Sequence, residues 1–271
     1  MTHLRTALFI ILLALVAGRP TDGLADTLAD AASAYKRGDF ANAIRIYRIF
    51  AEQGHVGPQY LVGLLTSRGK GTTRDDAEAF RWMHKAAKQG MHQAQSELGV
   101  YYAGGRGVTR DLQTALKWFR LAAAQGNLLA HFNIGFMFER GQGVGQNSRK
   151  AMNSYAISAK QGHTRSQYNL GLMHAEGYGV PMNLSEAARW HRLAAELGHV
   201  EAQASLALKY RKGKGVAADD VVAYKWYYIA DANGKLSARS LMADIARSLS
   251  PAHKAEAEKL ARAWLDSHGK K

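Results

Sequence analysis

Apolar and small residues recur along this chain at a fixed interval of 36 residues. Alanine keeps that interval at six positions, which are Ala43, Ala79, Ala115, Ala151, Ala187 and Ala223. A large side chain follows three residues later in five repeats, at Ile46, Trp82, Trp118, Trp190 and Trp226, and Ser154 interrupts this series. Such a period is typical of stacked helix pairs, in which alanine lets two helix backbones approach closely. The pattern therefore predicts a helical repeat array.

Glycines divide each predicted repeat into two helices. One set suits the left-handed residue that ends a helix, at Gly54, Gly90, Gly126, Gly162, Gly198 and Gly234. A Gly-x-Gly loop lies midway through each repeat, at 69–71, 105–107, 141–143, 177–179 and 213–215. A residue able to start the next helix then follows, at Asp75, Asp111, Asn147, Asn183 and Asp219. The predicted unit is helix, Gly-x-Gly loop, helix and glycine turn.

The repeat resembles the Sel-one-like repeat (SLR) family, a relative of the tetratricopeptide repeat with a longer loop between its helices. The stretches that carry the resemblance include Leu98-Gly99, Gly105-Arg106-Gly107-Val108, Trp118-Phe119 and Ala122-Ala123-Ala124-Gln125-Gly126. Five units fit, near 58–93, 94–129, 130–165, 166–201 and 202–237. One departure is His191, which stands where other repeats have Phe119, Tyr155 and Tyr227. The resemblance implies an all-α, right-handed α-solenoid of tetratricopeptide-like helix pairs with about fourteen helices.

The segments that flank the five repeats have features of their own. Residues 1–25 predict an export signal, because Arg5 precedes a short apolar run that cannot form a permanent membrane anchor. Cleavage is expected near Ala25, with Gly18 as the alternative. Residues 26–57 resemble a tetratricopeptide-type unit, and 238–271 predict a half-repeat and a capping helix from Ser250-Pro251 through Trp264. We therefore expect a periplasmic or secreted protein with no membrane segment after signal removal.

Charge and cysteine content narrow the classes of partner and chemistry. The chain has 36 basic and 22 acidic residues, and its formal net charge of +14 predicts attraction to acidic partners, although solubility alone also accounts for such a charge. It has no cysteine. This excludes a disulfide, a thiol nucleophile, a lipid-modified cysteine and a cysteine-ligated metal.

Candidate catalytic motifs are weak. Ser67-Arg68-Gly69-Lys70 has the Ser-x-x-Lys spacing of penicillin-interacting enzymes, but the companion motifs are missing. His55, His163 and His199 occupy equivalent repeat positions, too far apart to share a zinc ion, and are expected to be turn or surface residues. We predict no catalytic residue, metal or cofactor. A penicillin-interacting or cell-wall hydrolase stays as the alternative, together with an inhibitor or regulator of a membrane sensor.

Two surfaces are predicted to bind a partner. By resemblance to tetratricopeptide arrays, the first helix of each unit lines a concave groove, where the transferred apolar positions are Tyr60, Leu64, Val100, Phe132, Phe136, Tyr168, Leu172 and Leu208, with small residues at Ser96 and Ala204. A basic edge is expected along the loops, formed by Arg68, Lys70, Arg74, Arg106, Arg110, Arg140, Arg149, Arg211, Lys212 and Lys214. The groove side chains can instead be core, and the basic edge can be a solvated face.

The function predicted from these surfaces is that of an exported scaffold or adaptor. It would hold a peptide or protein partner of acidic character and regulate a cell-envelope process. A nucleic-acid partner is not expected, because aromatic residues that could stack on bases are not interleaved with the basic ones. The identity of the partner and the oligomeric state stay open.

Overall fold

The chain is all-helical over the described residues, which are 22–268 of the computed structural model. Fourteen helices occur in this range: α1 (Asp22–Arg37), α2 (Phe40–Glu52), α3 (Val56–Arg68), α4 (Asp76–Lys88), α5 (His92–Gly104), α6 (Leu112–Ala124), α7 (Leu128–Arg140), α8 (Ser148–Lys160), α9 (Thr164–Glu176), α10 (Leu184–Glu196), α11 (Val200–Lys212), α12 (Asp220–Ala232), α13 (Leu236–Ala246) and α14 (Pro251–His268). The predicted fold class, an all-α solenoid of tetratricopeptide-like helix pairs, is confirmed.

The predicted export signal falls at the edge of the described range. Its apolar run, at residues 7–17, lies outside the described residues, and the predicted cut near Ala25 lies within α1. Within residues 22–268, none of the helices combines the length and the apolar character needed to cross a membrane.

The helices form two compact units, one ending at Ala130 and the other beginning at His131. In the first unit consecutive helices from α1 to α6 pack against each other, and in the second unit those from α8 to α13 do so. The six alanines that recur every 36 residues are all completely buried, as helix contact at short range requires. The predicted helix-starting residues also act as such, since Asp75, Asp111, Asn147, Asn183 and Asp219 each accept a hydrogen bond from a backbone N–H of the helix that follows.

The Gly-x-Gly loops join neighbouring repeats by direct backbone contact. Both loop glycines adopt positive φ angles, for example +67° at Gly105 and +62° at Gly107. In four of the loops the second glycine touches the first residue of the preceding repeat's second helix, so that a Cβ on Gly107 would collide with the backbone of Asp76. Gly215 meets the backbone of Leu184 in the same way. Glycine is therefore required there by space as well as by conformation.

A series of buried side-chain amides also joins the repeats. Gln59 donates from Nε2 to the Ala51 carbonyl oxygen at 3.1 Å and accepts at Oε1 from Nε2 of Gln89 at 2.9 Å. Equivalent pairs join Gln95 to Gln125 and Gln203 to Asn233. In the repeat at 164–199 Leu197 stands at the donor position, and the buried Oε1 of Gln167 has no hydrogen-bond partner among the described residues. This series was not predicted from the sequence, because each bond between two side chains joins residues 30 positions apart.

The last helix covers the end of the second unit. As predicted, α14 starts after Ser250, whose Oγ accepts from the backbone N–H of His253 at 3.2 Å. The helix ends four residues beyond the predicted Trp264, at His268, whose ring stacks on the Trp264 indole with 4.2 Å between centroids. It packs against α12, where the rings of Trp264 and Trp226 lie 5.8 Å apart. Trp264 also donates from Nε1 to Glu196 at 3.1 Å.

Candidate protein-binding surfaces

The predicted groove residues differ in exposure between the two units. In the first unit Tyr60 and Leu64 are each 7% exposed and belong to a core cluster that includes Tyr35 of α1, while Val100 is half-buried. In the second unit three equivalent side chains are exposed, namely Phe136 at 37%, Leu172 at 39% and Leu208 at 40%. They come from the first helices of three successive repeats, α7, α9 and α11. We call these three side chains the second-unit row.

The two remaining groove residues, Phe132 and Tyr168, pack against histidines. The Tyr168 ring stacks on His191 at 5.4 Å and on His199 at 4.8 Å. The Phe132 ring lies 5.0 Å from His163. Both aromatic residues are half-buried in these contacts. They hold neighbouring helices together and leave the second-unit row as the accessible part of the predicted groove.

Polar groups accompany the second-unit row. Asn133, one turn before Phe136 on α7, has a buried Nδ2 with no hydrogen-bond partner among the described residues. The Arg140 guanidinium lies over the Phe136 ring at 5.6 Å. Lys209 follows Leu208 and is only 8% exposed; burial, with Lys214 nearby, lowers its pKa. A partner lying on this row would thus meet apolar side chains and the exposed Arg140, with Lys209 and the Asn133 amide buried beneath the surface.

Basic-edge residues of the first unit make internal contacts. Arg106 pairs with Asp76 at 2.9 Å, and Arg74 pairs with the same carboxylate at 2.8 Å. These hydrogen bonds hold the pKa of Asp76 below its usual value. Lys70 lies over the Phe40 ring at 4.7 Å, and Arg110 donates to the Ala103 carbonyl oxygen at 3.1 Å. Much of this part of the edge therefore holds the loops in place.

Other basic residues are directed to solvent. Arg68 is exposed in the first unit, although it also acts electrostatically on Glu97, whose pKa burial raises. In the second unit the exposed residues of the predicted basic edge are Arg140, Arg149, Arg211, Lys212 and Lys214. The cations at the end of α11 lie on the helix that also carries Leu208. Positive charge and the second-unit row are therefore adjacent there.

The motifs considered for chemistry are occupied by structural contacts. Ser67 donates from Oγ to the Leu64 carbonyl oxygen at 2.9 Å, while Lys70 lies on the Phe40 ring. His163 and His199 start helices, since their Nδ1 atoms accept from backbone N–H groups at 3.2 and 3.3 Å. His55 precedes α3 without such a bond. Within residues 22–268 no group of three potential metal ligands comes together.

The sequence reading missed two exposed residues in the loop between α9 and α10. Tyr178 and Met182 are 63% and 67% exposed. Aligning the five loops on their glycines would have found them, because the corresponding residues of the other loops are basic, amide or small.

Comparison with known proteins identifies the repeat. The Sel1 repeat model matches residues 59–91, 92–127, 128–163, 164–199 and 200–234. This chain belongs to the Sel1 repeat family. A Sel1 repeat protein from Oxalobacter formigenes has a similar structure, with a TM-score of 0.73 and 28% identity over 91% of this chain and 98% of that one. Sel1 repeat proteins act as scaffolds for protein–protein interactions.

Two further relatives are similar over smaller shares of their lengths. An SLR-fold protective antigen of uropathogenic Escherichia coli superimposes with a TM-score of 0.57 and 25% identity, over 90% of this chain and 61% of that one. An exopolysaccharide production negative regulator from Rhizobium leguminosarum bv. viciae is 42% identical over 48 residues, which are 18% of this chain and 18% of that protein. This chain therefore spans less than two thirds of either relative.

Proposed function

We propose that this Sel1 repeat protein is an exported scaffold that binds a peptide or protein along the second-unit row. The observation that carries the proposal is the repeated exposure of Phe136, Leu172 and Leu208, at 37%, 39% and 40%. Helix pairs pack at about 8–10 Å, so equivalent positions in successive repeats form a line of apolar contacts. Exposed apolar side chains that line up in this way are typical of binding surfaces.

The polar surroundings favour an extended segment of acidic character. The Nδ2 of Asn133 has no hydrogen-bond partner among the described residues and would donate to a peptide carbonyl once its side chain turns outward. Arg211, Lys212 and Lys214 supply positive charge at the end of α11. These cations would raise the association rate of an acidic partner and make binding sensitive to salt.

The proposal is tested by pull-down from envelope extract with mass identification of the partner. The variant Phe136→Ala, Leu172→Ala, Leu208→Ala should lose the partner, because an anchor residue contributes about 2 kcal/mol or more to binding. The matched control is Ile157→Ala, Leu193→Ala, which removes side chains of similar exposure, 45% and 40%, from second helices of the same unit. If both variants recovered the partner equally well, the second-unit row would not be the binding surface.

The acidic character of the partner is tested separately. Replacing Arg211, Lys212 and Lys214 with glutamine should weaken binding and flatten its salt dependence. An affinity and a salt dependence equal to those of the wild type would show that these cations do not contribute.

The exported location is tested by fusing residues 1–57 to alkaline phosphatase, which is active only outside the cytoplasm. Activity is expected with residues 1–25 present and should be lost when they are deleted. Activity without residues 1–25 would contradict their role as the signal.

We further propose regulation of a cell-envelope process. The stretch similar to the exopolysaccharide production negative regulator supports this. The polysaccharide yield of cells that lack this chain should rise, and an unchanged yield would argue against this process. Catalysis is not proposed, because Ser67 and Lys70 are occupied by structural contacts. Labelling by a fluorescent penicillin that disappears in Ser67→Ala would contradict that view.

A further inference from the structure

The loop between α9 and α10 differs from the other four Gly-x-Gly loops at two positions. The residue between the glycines is Lys70, Arg106, Gln142 or Lys214 in the other loops, and Tyr178 in this one. The residue before the helix-starting position is Arg74, Arg110, Gln146 or Ala218 in the other loops, and Met182 in this one. At both positions this loop has a large, largely apolar side chain, whereas the other four loops have a polar or small one.

Most of the polar residues at these positions bond to the protein itself. Arg106 reaches the carboxylate of Asp76 at 2.9 Å, and Lys70 lies over the Phe40 ring. Gln146 donates from Nε2 to the Glu139 carbonyl oxygen at 2.9 Å. The Tyr178 side chain, in contrast, makes no hydrogen bond or ring contact with any described residue, and Tyr178 is 63% exposed. Its ring therefore contributes little to the folding of the loop.

A shallow cleft adjoins this loop. Its volume is about 550 Å³, and its lining includes Asn147, Arg149, Val180 and Pro181. The loop is held against the first turn of α8, because Gly179 packs on the Ser148 backbone with no room for a Cβ. The cleft is consequently formed before any ligand arrives, which lowers the entropic cost of binding.

Arg149 gives the cleft its charge. Its guanidinium is exposed and forms no ion pair with any described residue. An arginine in this situation can bind a carboxylate through two parallel N–H···O hydrogen bonds. Tyrosine combines a large contact area with few rotatable bonds, and methionine adapts to irregular apolar shapes. The loop thus carries two exposed large side chains, and the cleft that adjoins it is lined by an arginine without an ion pair among the described residues.

We propose that the α9–α10 loop is a docking surface for a partner-protein segment that carries an apolar side chain next to an aspartate or glutamate. The apolar side chain contacts the exposed Tyr178 or Met182 of the loop, and the carboxylate pairs with Arg149 in the adjoining cleft. The positive charge of the whole chain, +14, favours the approach of such a segment. A surface that served solubility alone would keep polar or small residues at these positions, as the other loops do. None of the three residues Tyr178, Met182 and Arg149 belongs to the second-unit row.

The test uses a phage-displayed library of random short peptides selected on the full chain. The comparison variant is Tyr178→Lys, Met182→Arg, which introduces the residue types that the loops of the first unit carry. Peptides enriched on the wild type should pair an acidic with an apolar residue. Synthetic versions should bind the double variant at least about tenfold more weakly by fluorescence polarisation. Arg149→Glu should weaken acidic peptides by a similar factor and favour versions in which lysine replaces the acid.

Three outcomes would overturn the proposal. The first is equal enrichment on the wild type and the double variant. The second is a loss of peptide binding in Leu172→Ala with full binding in the double variant, which would assign the peptides to the second-unit row. The third is a dimer in sedimentation experiments that disappears in the double variant, since the occupant would then be a second copy of this chain. Circular dichroism melts of all variants distinguish lost binding from lost folding.

Discussion

The two units are built from the same 36-residue repeat, yet they differ in the hydrogen bonding of their polar groups and in the burial of their apolar side chains. In the first unit the groove residues Tyr60 and Leu64 are buried and Gln59 has both a hydrogen-bond donor and an acceptor. In the second unit the equivalent Leu172 is exposed, and the buried Oε1 of Gln167 has no partner. The second unit thus gives up internal contacts at repeat positions where the first unit keeps them.

The second unit also places titratable groups in its core. His191 and Lys209 are 2% and 8% exposed, whereas the equivalent residues of the repeat at 92–127 are Phe119 and Tyr101. Burial lowers the pKa of both groups, so each is easier to deprotonate than in water. Repeats that lack some internal contacts are expected at binding sites. There a protein accepts lower stability because accessible or adaptable groups are needed for binding. We therefore expect the binding function to lie in the second unit.

The largest expected effect concerns a feature that the two units share. Gly107→Ala and Gly215→Ala should each lower the free energy of unfolding by about 3 kcal/mol or more, because the new Cβ would collide with backbone at a positive φ. Urea unfolding measures the loss. Gly198→Ala is the matched control, since Gly198 has a φ of +84° with open space around it and should lose only about 1–2 kcal/mol. Tolerance of alanine in one unit alone would show that its loops are not held by this contact.

The next largest effect is a pH dependence of the free energy of unfolding that originates in the second unit. The pKa of His191 is lowered by burial from 6.5 to about 4. A folded-state pKa below the unfolded one means that protons favour the unfolded chain. The stabilisation is therefore complete above about pH 6.5 and is lost as the pH falls toward 4, by roughly 2–3 kcal/mol.

The variant His191→Phe, which has the side chain of Phe119, should remove this loss. Urea unfolding at several pH values measures the difference between the variant and the wild type. His84→Phe serves as the control in the first unit, since the His84 side chain is only half-buried. Parallel pH curves for the wild type and His191→Phe would contradict the assignment to His191.

A smaller effect should make the second unit resemble the first. Leu197→Gln places an amide at the position from which Gln89 and Gln125 donate in the first unit. The new donor can reach the unpartnered Oε1 of Gln167 and should stabilise the protein by about 1 kcal/mol. Thermal unfolding checks this, with Leu197→Ala as the control for removing an exposed leucine. If both variants gave the same melting temperature, the hydrogen bond would not have formed.

The smallest effect compares equivalent loop residues. Arg106→Ala should cost about 0.5–1 kcal/mol, because it removes a partly exposed ion pair with Asp76. Tyr178→Ala should cost less than about 0.5 kcal/mol, as expected for a surface side chain without partners. The difference is measured in urea under identical conditions. A larger cost for Tyr178→Ala would give that ring a structural role and weaken its assignment to a docking surface.

Sequence periodicity predicted the helices well because their determinants are local. Asp111 and Gly105 act on residues within one turn, and the 36-residue interval of Ala115 and its equivalents reports a contact that every repeat must make. Exposure was harder to predict. Leu64 and Leu172 are the same residue at the same repeat position, and only the surrounding core cluster with Tyr35 buries the first. The packing of α14 on α12 likewise depends on contacts distant in sequence, such as Trp264 with Glu196.

The contact between the second loop glycine and the preceding helix also bears on how such a chain changes length. Gly179 and Gly215 make the same backbone contact one repeat apart, with Ser148 and Leu184. Removing the 36 residues from 180 to 215 would join Gly179 to residue 216, which normally follows Gly215, so the same type of junction would be kept. Shorter deletions would move the glycine away from its contact with the helix backbone. Duplication and loss of whole repeats therefore preserve the joint, and the gene can lengthen or shorten the array in steps of one repeat without inventing a new contact.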